Sequence, residues 1–282
     1  MITILSDILE DWPLWGLTTK PVESQQVIQL TGGLTNQCYQ LSLDSGEYIL
    51  RISAENTQAL GIDRTLEKAI HQLVSSLQFT SALRYCDDDN RYWIRDYIAG
   101  ESFDHNTSVS DSSLVYMVEQ LKTLHQVSAD LMPIELARAK VNISDKAEAY
   151  WKVLELRQPD DELLKMKALM QVAMSEPPEG DFCLCHLDPV PANWLYTAEG
   201  LKLLDWEYAG LGHPLWDLAA LMQGIVQQMD VQADDSSSAD FNAQERLEQR
   251  IIELYGIENL TAWRRAKVQM EYLSSLWYKA QA

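Results

Sequence analysis

The dominant spacing of apolar residues shifts near Ser110 of this 282-residue chain, and that shift limits what the chain can fold into. Over roughly the first 95 residues, apolar and polar side chains alternate in short runs, the two-residue period of half-buried strands. From Ser110 onward apolar residues recur every three to four positions, the period of an amphipathic helix. The fold must therefore combine a small sheet with a larger helical body.

After a short N-terminal helix, Val27 to Leu30 reads as a strand that runs into a Gly-Gly loop. Gln37 to Leu43 is a second strand, and Asp44-Ser45-Gly46 is a hairpin turn signal. Glu47 to Ile52 is a third, with Tyr48, Leu50 and Ile52 on one face and Ile49 and Arg51 on the other. Ile62, Leu66, Ala69, Ile70, Leu73, Val74 and Leu77 mark a helix, and Glu67 lies off its apolar stripe. Asp87 to Asn90 is a turn between two further antiparallel strands.

The second part opens with a polar cap at Ser110 and a helix carrying Leu114, Met117, Val118, Leu121 and Leu124. More helix is expected over Ala147 to Leu156 and Asp160 to Met174, until "EPPEG" breaks it. "FCLCH", "NWLYT" and "LKLLDWE" read as short strands, the last two joined by the turn Thr197 to Gly200. Helices fill the C-terminus, including Trp263 to Tyr278, and the acidic, serine-rich stretch Asp230 to Asp240 reads as a mobile loop. There are no internal repeats. The expected class is α+β: a small antiparallel β-rich lobe over residues 1–97 and a larger, mainly helical lobe over 98–282, with ligands expected in a cleft between lobes.

The formal net charge of −20 argues against nucleic acid or an anionic membrane as partner, since both need a basic footprint. It suits a cationic small molecule; simple solubility is the alternative reading. Cys183 and Cys185 would share one face of a strand, too close in sequence for a normal disulfide, so the four cysteines read as buried thiols in a reducing compartment. The acidic N-terminus does not resemble a signal peptide, and no apolar run approaches membrane length. Together these point to the cytoplasm.

Near the middle runs "CHLDPVPANWLY", in which His186, Asp188 and Asn193 follow the pattern H-x-D-x-x-x-x-N. Asp205 follows the next hairpin, which would bring it close to Asn193. Phosphoryl transfer needs a carboxylate to orient the attacking hydroxyl and accept its proton. It also needs hard oxygen ligands, such as an amide and a second carboxylate, to hold magnesium on the phosphates. Alone the pattern also fits a polar turn. Its weight comes from the order of the whole set: Gly-Gly loop, basic residue on the third strand, helical glutamate, this loop, then an aspartate after a hairpin. His186 reads as a support for the loop rather than a base, and Asp217 as an anchor or cap. Pro189 and Pro191 fix φ and bias Asp188 and Val190 toward extended conformations.

With these residues in view, the chain resembles the kinase-like small-molecule phosphotransferases: choline/ethanolamine kinases, thiamine kinases and aminoglycoside phosphotransferases. The likeness spans nearly the whole chain in motif order and is densest from Cys185 to Leu221, in "CHLDPVPANWL" and "LLDWEYAGLGHPLWDLAAL". The resemblance implies a protein-kinase-like two-lobe fold using ATP and Mg2+. It implies Asp188 as catalytic base and Asn193 and Asp205 as magnesium ligands. Gly32, Gly33 and Thr35 would cover the phosphates, Arg51 would contact them, and Glu67 would pair with Arg51. Asp96 to Ile98 would form the hinge that meets adenine through backbone groups. The "LTGGLTN" loop is shorter and less glycine-rich than the protein-kinase type. Arg51 replaces the usual lysine, as is common in choline- and thiamine-kinase-like sequences.

Trp206 and Glu207 are candidates for the acceptor site, with core packing the alternative for the tryptophan. Many tryptophans and tyrosines fall in the larger lobe, where aromatic faces would suit a cationic alcohol or would simply fill the core. The expected activity is transfer of the γ-phosphoryl group of ATP to the hydroxyl of a small cationic metabolite, choline or ethanolamine first and thiamine next. An aminoglycoside phosphotransferase and a catalytically silent nucleotide-binding protein are the alternatives.

Overall fold

A computed structural model describes residues 5–30, 36–54, 61–103, 107–137, 140–157, 159, 161–232 and 241–281. Contacts divide the chain into two units. One comprises Met1–Thr57 and His71–Ala99, the other Gln58–Ile70 and Gly100–Ala282.

The first unit is built on an antiparallel sheet. Its strands are β1 (Val27–Leu30), β2 (Gln37–Leu43), β3 (Gly46–Ile52), β4 (Leu83–Cys86) and β5 (Tyr92–Asp96), in the order β1-β2-β3-β5-β4. The hairpin turn sets the register of β2 on β3, with Leu41 opposite Tyr48 and Tyr39 opposite Leu50. β3 pairs with β5 so that Leu50 meets Ile94 and Arg51 meets Trp93. This alternation sends Tyr39, Leu41, Tyr48, Leu50, Ile52 and Ile94 to one face, where α1 (Leu5–Glu10) and α2 (Trp12–Trp15) close the core with Ile8 and Trp15. The Trp15 indole donates to the Tyr92 hydroxyl (3.2 Å), which donates to Asp11 (2.9 Å).

The other face is buried too, which a simple in–out alternation does not predict: Ile49, Arg51 and Trp93 are all below a tenth exposed. α3 (Arg64–Ser76) supplies His71 and Val74 to this unit; the His71 ring lies 5.0 Å from the Trp93 ring and 3.0 Å, through Nε2, from the Ser81 carbonyl. Asp63 caps α3 by accepting from the Thr65 and Leu66 amides.

The second unit is mainly helical. Its helices are α4 (Asp111–His125), α5 (Ile134–Ala137), α6 (Ile143–Glu155), α7 (Asp161–Ser175), α8 (Pro214–Gln232), α9 (Phe241–Tyr255) and α10 (Leu260–Gln281). Ser110 caps α4 as its sequence suggests, and Leu114, Met117, Val118, Leu121 and Leu124 are all buried. α6 starts four residues before Ala147 because Asn142 caps it, accepting from the Ser144 and Asp145 amides. α10 packs along α8, α6 and α7. Trp151, Trp194, Trp206, Trp216 and Trp263 are fully buried. All five donate their indole N–H, Trp151 to Tyr272 and Trp216 to Gln269 among them. Most of the expected aromatic surface is therefore core.

Short strands carry the connecting loops: β6 (Glu101–Ser102), β7 (Cys183–Cys185), β8 (Trp194–Thr197), β9 (Gly200–Leu203) and β10 (Gly210–Gly212). β6 and β10 are too short to leave a periodic trace in the sequence. The acidic stretch from Asp230 is not a loop at its start, since α8 continues through Gln232; residues 233–240 lie outside the described residues. All four cysteines are free, and only Cys185 is fully buried, against the expectation of four buried thiols. Among the described residues no helix is long and apolar enough to cross a membrane.

Leu50 is fully buried where both helices meet the sheet. Leu50→Ala is expected to cost about 2–5 kcal/mol of stability, read from urea denaturation of the whole chain.

Candidate active site

The site lies in the helical unit, where β7 delivers the chain into the loop His186–Pro191. Asp217, on the first turn of α8 and wholly buried, accepts from the His186 amide (2.9 Å) and the Leu187 amide (2.6 Å). His125 Nε2, at the end of α4, lies 3.0 Å from the same carboxylate. Asp217 thus anchors the loop, and Leu187 is held at φ 67°, a conformation a bulky side chain avoids unless its surroundings impose it. α8 comes close to the loop at Gly224, where a Cβ would lie 2.6 Å from the Pro191 ring.

His186 is used up by the architecture. Its Nδ1 accepts from the Asp188 amide (3.2 Å), and its Nε2, 2.8 Å from the Leu204 carbonyl, donates there. Burial pushes its pKa down to about 4, so the ring is neutral at neutral pH. Both nitrogens are engaged, and the ring sits edge-on against Trp206 with 4.7 Å between centroids.

Asp188 follows. The Asn193 amide donates to its Oδ2 (3.0 Å) and to its carbonyl (2.8 Å). With Nδ2 spent on two acceptors, the remaining oxygen Oδ1 is the atom a hard cation would take. Leu204 donates to the Asn193 carbonyl (2.8 Å), so the β8–β9 hairpin brings the chain back beside Asn193 just before Asp205. Asp205 is exposed and held at φ 60°. Burial, then the nearby charges of Asp205 and Glu207, push the Asp188 carboxyl up to about 8, against the opposing hydrogen bond from Asn193.

A second acidic feature joins this one. Oxygens of Glu67, Asp205 and Glu207 lie within 4.8 Å of one another. Arg64, one turn before Glu67 on α3, donates to Glu67 (2.7 Å) and to Glu207 (3.1 Å). Arg64 was not singled out from sequence; its i,i+3 spacing to Glu67 was visible, but Glu207 lies 143 residues away. Beside them stands Lys146 of α6, its Nζ 5.1 Å from the Tyr208 ring centroid. Burial lowers its pKa to about 8, and Glu207 opposes this. Trp277 donates to the Tyr208 hydroxyl (2.8 Å), and burial together with Asp188 raises the pKa of Tyr150 and Tyr278.

The structure brings Asp188, Asn193, Asp205, Glu67 and Glu207 together within the helical unit. Trp206 is 1% exposed and its indole donates to the Leu203 carbonyl, as in core packing. In the sheet unit, Arg51 lies flat on Trp93, 3.8 Å from the ring centroid. Asp96 is bound bidentately by Arg84, so its side chain faces that arginine, and Ile98 follows it at partial burial. Gly32, Gly33 and Thr35 lie outside the described residues.

A neutral histidine that fixes a loop, a half-buried carboxylate steadied by an amide, and a further carboxylate after a hairpin form the constellation of a kinase-like phosphotransferase. The chain belongs to the phosphotransferase enzyme family, whose model matches residues 26–267. It is 26% identical over 212 residues to protein LicA of Haemophilus influenzae, 68% of this chain but 56% of that protein's length. Its fold matches that of choline kinase LicA from Streptococcus pneumoniae, with a TM-score of 0.63 at 21% identity over 96% of this chain and 99% of the other. It also matches the streptomycin–ATP–APH(2″)-IIa ternary complex, with a TM-score of 0.63 at 19% identity over 99% and 94% of the two chains. At these identities the structural likeness shows the protein-kinase-like fold.

A carboxyl with a pKa near 8 makes stability depend on pH. An unfolded aspartate releases its proton at about pH 3.9, while the folded chain keeps that of Asp188 up to about pH 8. Between these values the folded state binds more protons, so this group lowers stability as pH rises, by at most about 1.4 kcal/mol per unit. Asp188→Asn is therefore expected to match the parent at about pH 4 and to become progressively more stable than it toward pH 8. Urea denaturation at both pH values checks this, and parallel stability curves would contradict it.

Proposed function

We propose that the chain is an ATP- and Mg2+-dependent kinase that transfers the γ-phosphoryl group to the hydroxyl of a small cationic alcohol, choline or ethanolamine first and thiamine next. The observation that carries this reading is the half-buried Asp188 carboxylate, held by Asn193 on one oxygen beside the carboxylates of Asp205 and Glu207. Family membership, the choline kinase among its structural neighbours and the ATP in another support it.

In this reading Asp188 Oδ2 is fixed by Asn193, and Oδ1 receives the acceptor hydroxyl, orients it and takes its proton. Raised proton affinity makes Asp188 the stronger base for an alcohol in the ionised fraction, and that fraction grows as pH rises toward 8. His186 keeps the loop in place and transfers no proton. Asn193 Oδ1 and Asp205 would hold magnesium, which when bound neutralises charge on the phosphates. Arg51, stacked on Trp93 and permanently charged, is assigned to the nucleotide phosphates, and Gly32, Gly33 and Thr35 are assigned there on the family pattern alone. Asp96 and Ile98 are assigned to adenine on the same ground. Glu67, which also meets Arg64, is assigned to pair with Arg51 on the family pattern. Glu207 and the Tyr208 face suit an ammonium group; the cation now over that ring is Lys146.

ADP release should be measured with choline, ethanolamine, thiamine and an aminoglycoside. Turnover is expected with a cationic alcohol from the first three; turnover with the aminoglycoside alone would reassign the acceptor. Asp188→Asn should reduce turnover to background while remaining folded, and a fully active variant would remove Asp188 from the chemistry.

Lys146 and a cationic acceptor would compete for the same ring and the same acid. Lys146→Met is expected to lower the KM for the cationic acceptor about two- to ten-fold, within the range of a cation–π contact. A raised KM would show instead that Lys146 helps to bind it.

A further inference from the structure

Behind the loop lies a second group of side chains that phosphoryl transfer does not use. α4 ends on His125, and β7 carries Cys183 and Cys185 two residues apart, on the same face of the strand. His125, Cys183 and Cys185 each bring a ligand atom within 4.8 Å of the others. The two sulfurs are 3.7 Å apart. Two Zn–S bonds of about 2.3 Å at the tetrahedral angle span about 3.8 Å. The strand therefore already holds the thiols at the separation a tetrahedral cation requires.

His125 is oriented as a ligand. Asp217 accepts from the two loop amides, and the His125 ring N–H joins them, which puts the proton on Nε2 and a lone pair on Nδ1. A carboxylate behind an imidazole in this way is the arrangement that orients metal-binding histidines. Nδ1 faces the Tyr255 hydroxyl of α9, 2.8 Å away. An imidazole and two sulfurs thus converge, with a phenol oxygen on the imidazole Nδ1. Cys183 is partly exposed, which leaves a route of entry.

We propose that His125, Cys183 and Cys185 form a binding site for a soft divalent cation, zinc by its donor chemistry, with Tyr255 or a water completing the coordination. Magnesium avoids sulfur, so this site and the oxygen-lined site at Asn193 and Asp205 do not compete for the same ion. The cation would fix the His125 ring, and His125 holds Asp217, the anchor of the catalytic loop.

The test needs no substrate and is independent of the assigned reaction. Reduced protein, stripped with a chelator, is titrated with Co2+ and then with Zn2+. One equivalent of Co2+ should produce thiolate-to-cobalt charge-transfer absorption, Zn2+ should abolish it, and Zn2+ should raise the Tm. Cys183→Ser and Cys183→Ala should each weaken zinc binding by about ten-fold or more, with Tm in chelator unchanged. A Cys38→Ser, Cys86→Ser double variant should bind as the parent does. The proposal is overturned if the parent gives no thiolate band, if the band survives in both Cys183 variants, or if it disappears in the double variant.

Discussion

The buried carboxylate of Asp217 is the contact on which the candidate site depends. A carboxylate without solvent is costly unless its oxygens are met by donors. Here two backbone amides and an imidazole meet them, and those donors come from α4 and from the segment after β7. The carboxylate itself rides on α8. One side chain therefore joins two helices to a loop whose own backbone would not choose this path, as the positive φ of Leu187 shows. The close approach at Gly224 has the same effect from the other side, since any side chain there would push Pro191 outward.

From this anchor the order passes outward through His186. Its ring takes the Asp188 amide on one nitrogen and gives its proton to the Leu204 carbonyl on the other, while Leu204 gives its own amide to Asn193. The segments that follow β7 and β9 are thereby tied through one imidazole. Such fixed groups reduce the reorganisation needed when charge moves in a reaction. The cost appears in the electrostatics: Asp188 sits among like charges with its acidity suppressed, and Arg64 and Lys146 are the cations that offset the surplus.

Much of this was legible in the residues. β2 ends where its alternation does, because the turn residues Asp44 and Ser45 bound it. The spacing from His186 to Asn193 and the later Asp205 named the centre of the site, since that chemistry needs those residue types in that order. The start of α6 was missed because a capping asparagine, not apolar spacing, sets it. Arg64, Lys146 and His125 were missed for another reason. Their partners lie on other elements, and only the folded chain brings Arg64 to Glu207 or His125 to Asp217. Trp206 stayed ambiguous because an indole packs in a core and lines a pocket with the same surface.

The backbone at position 205 carries a consequence for how this chain can drift. Aspartate, asparagine and glycine are the residues that tolerate a left-handed φ of this kind with little penalty. Glutamate keeps the charge but fits that backbone poorly, and glycine keeps the backbone but offers no oxygen. Two independent filters, one steric and, on the proposed magnesium role, one chemical, therefore act on a single codon; aspartate passes both with its charge, and asparagine passes with a neutral oxygen. Replacement there would be rarer than function alone would dictate, and a glutamate in a descendant would signal that the hairpin after β9 had itself been rebuilt.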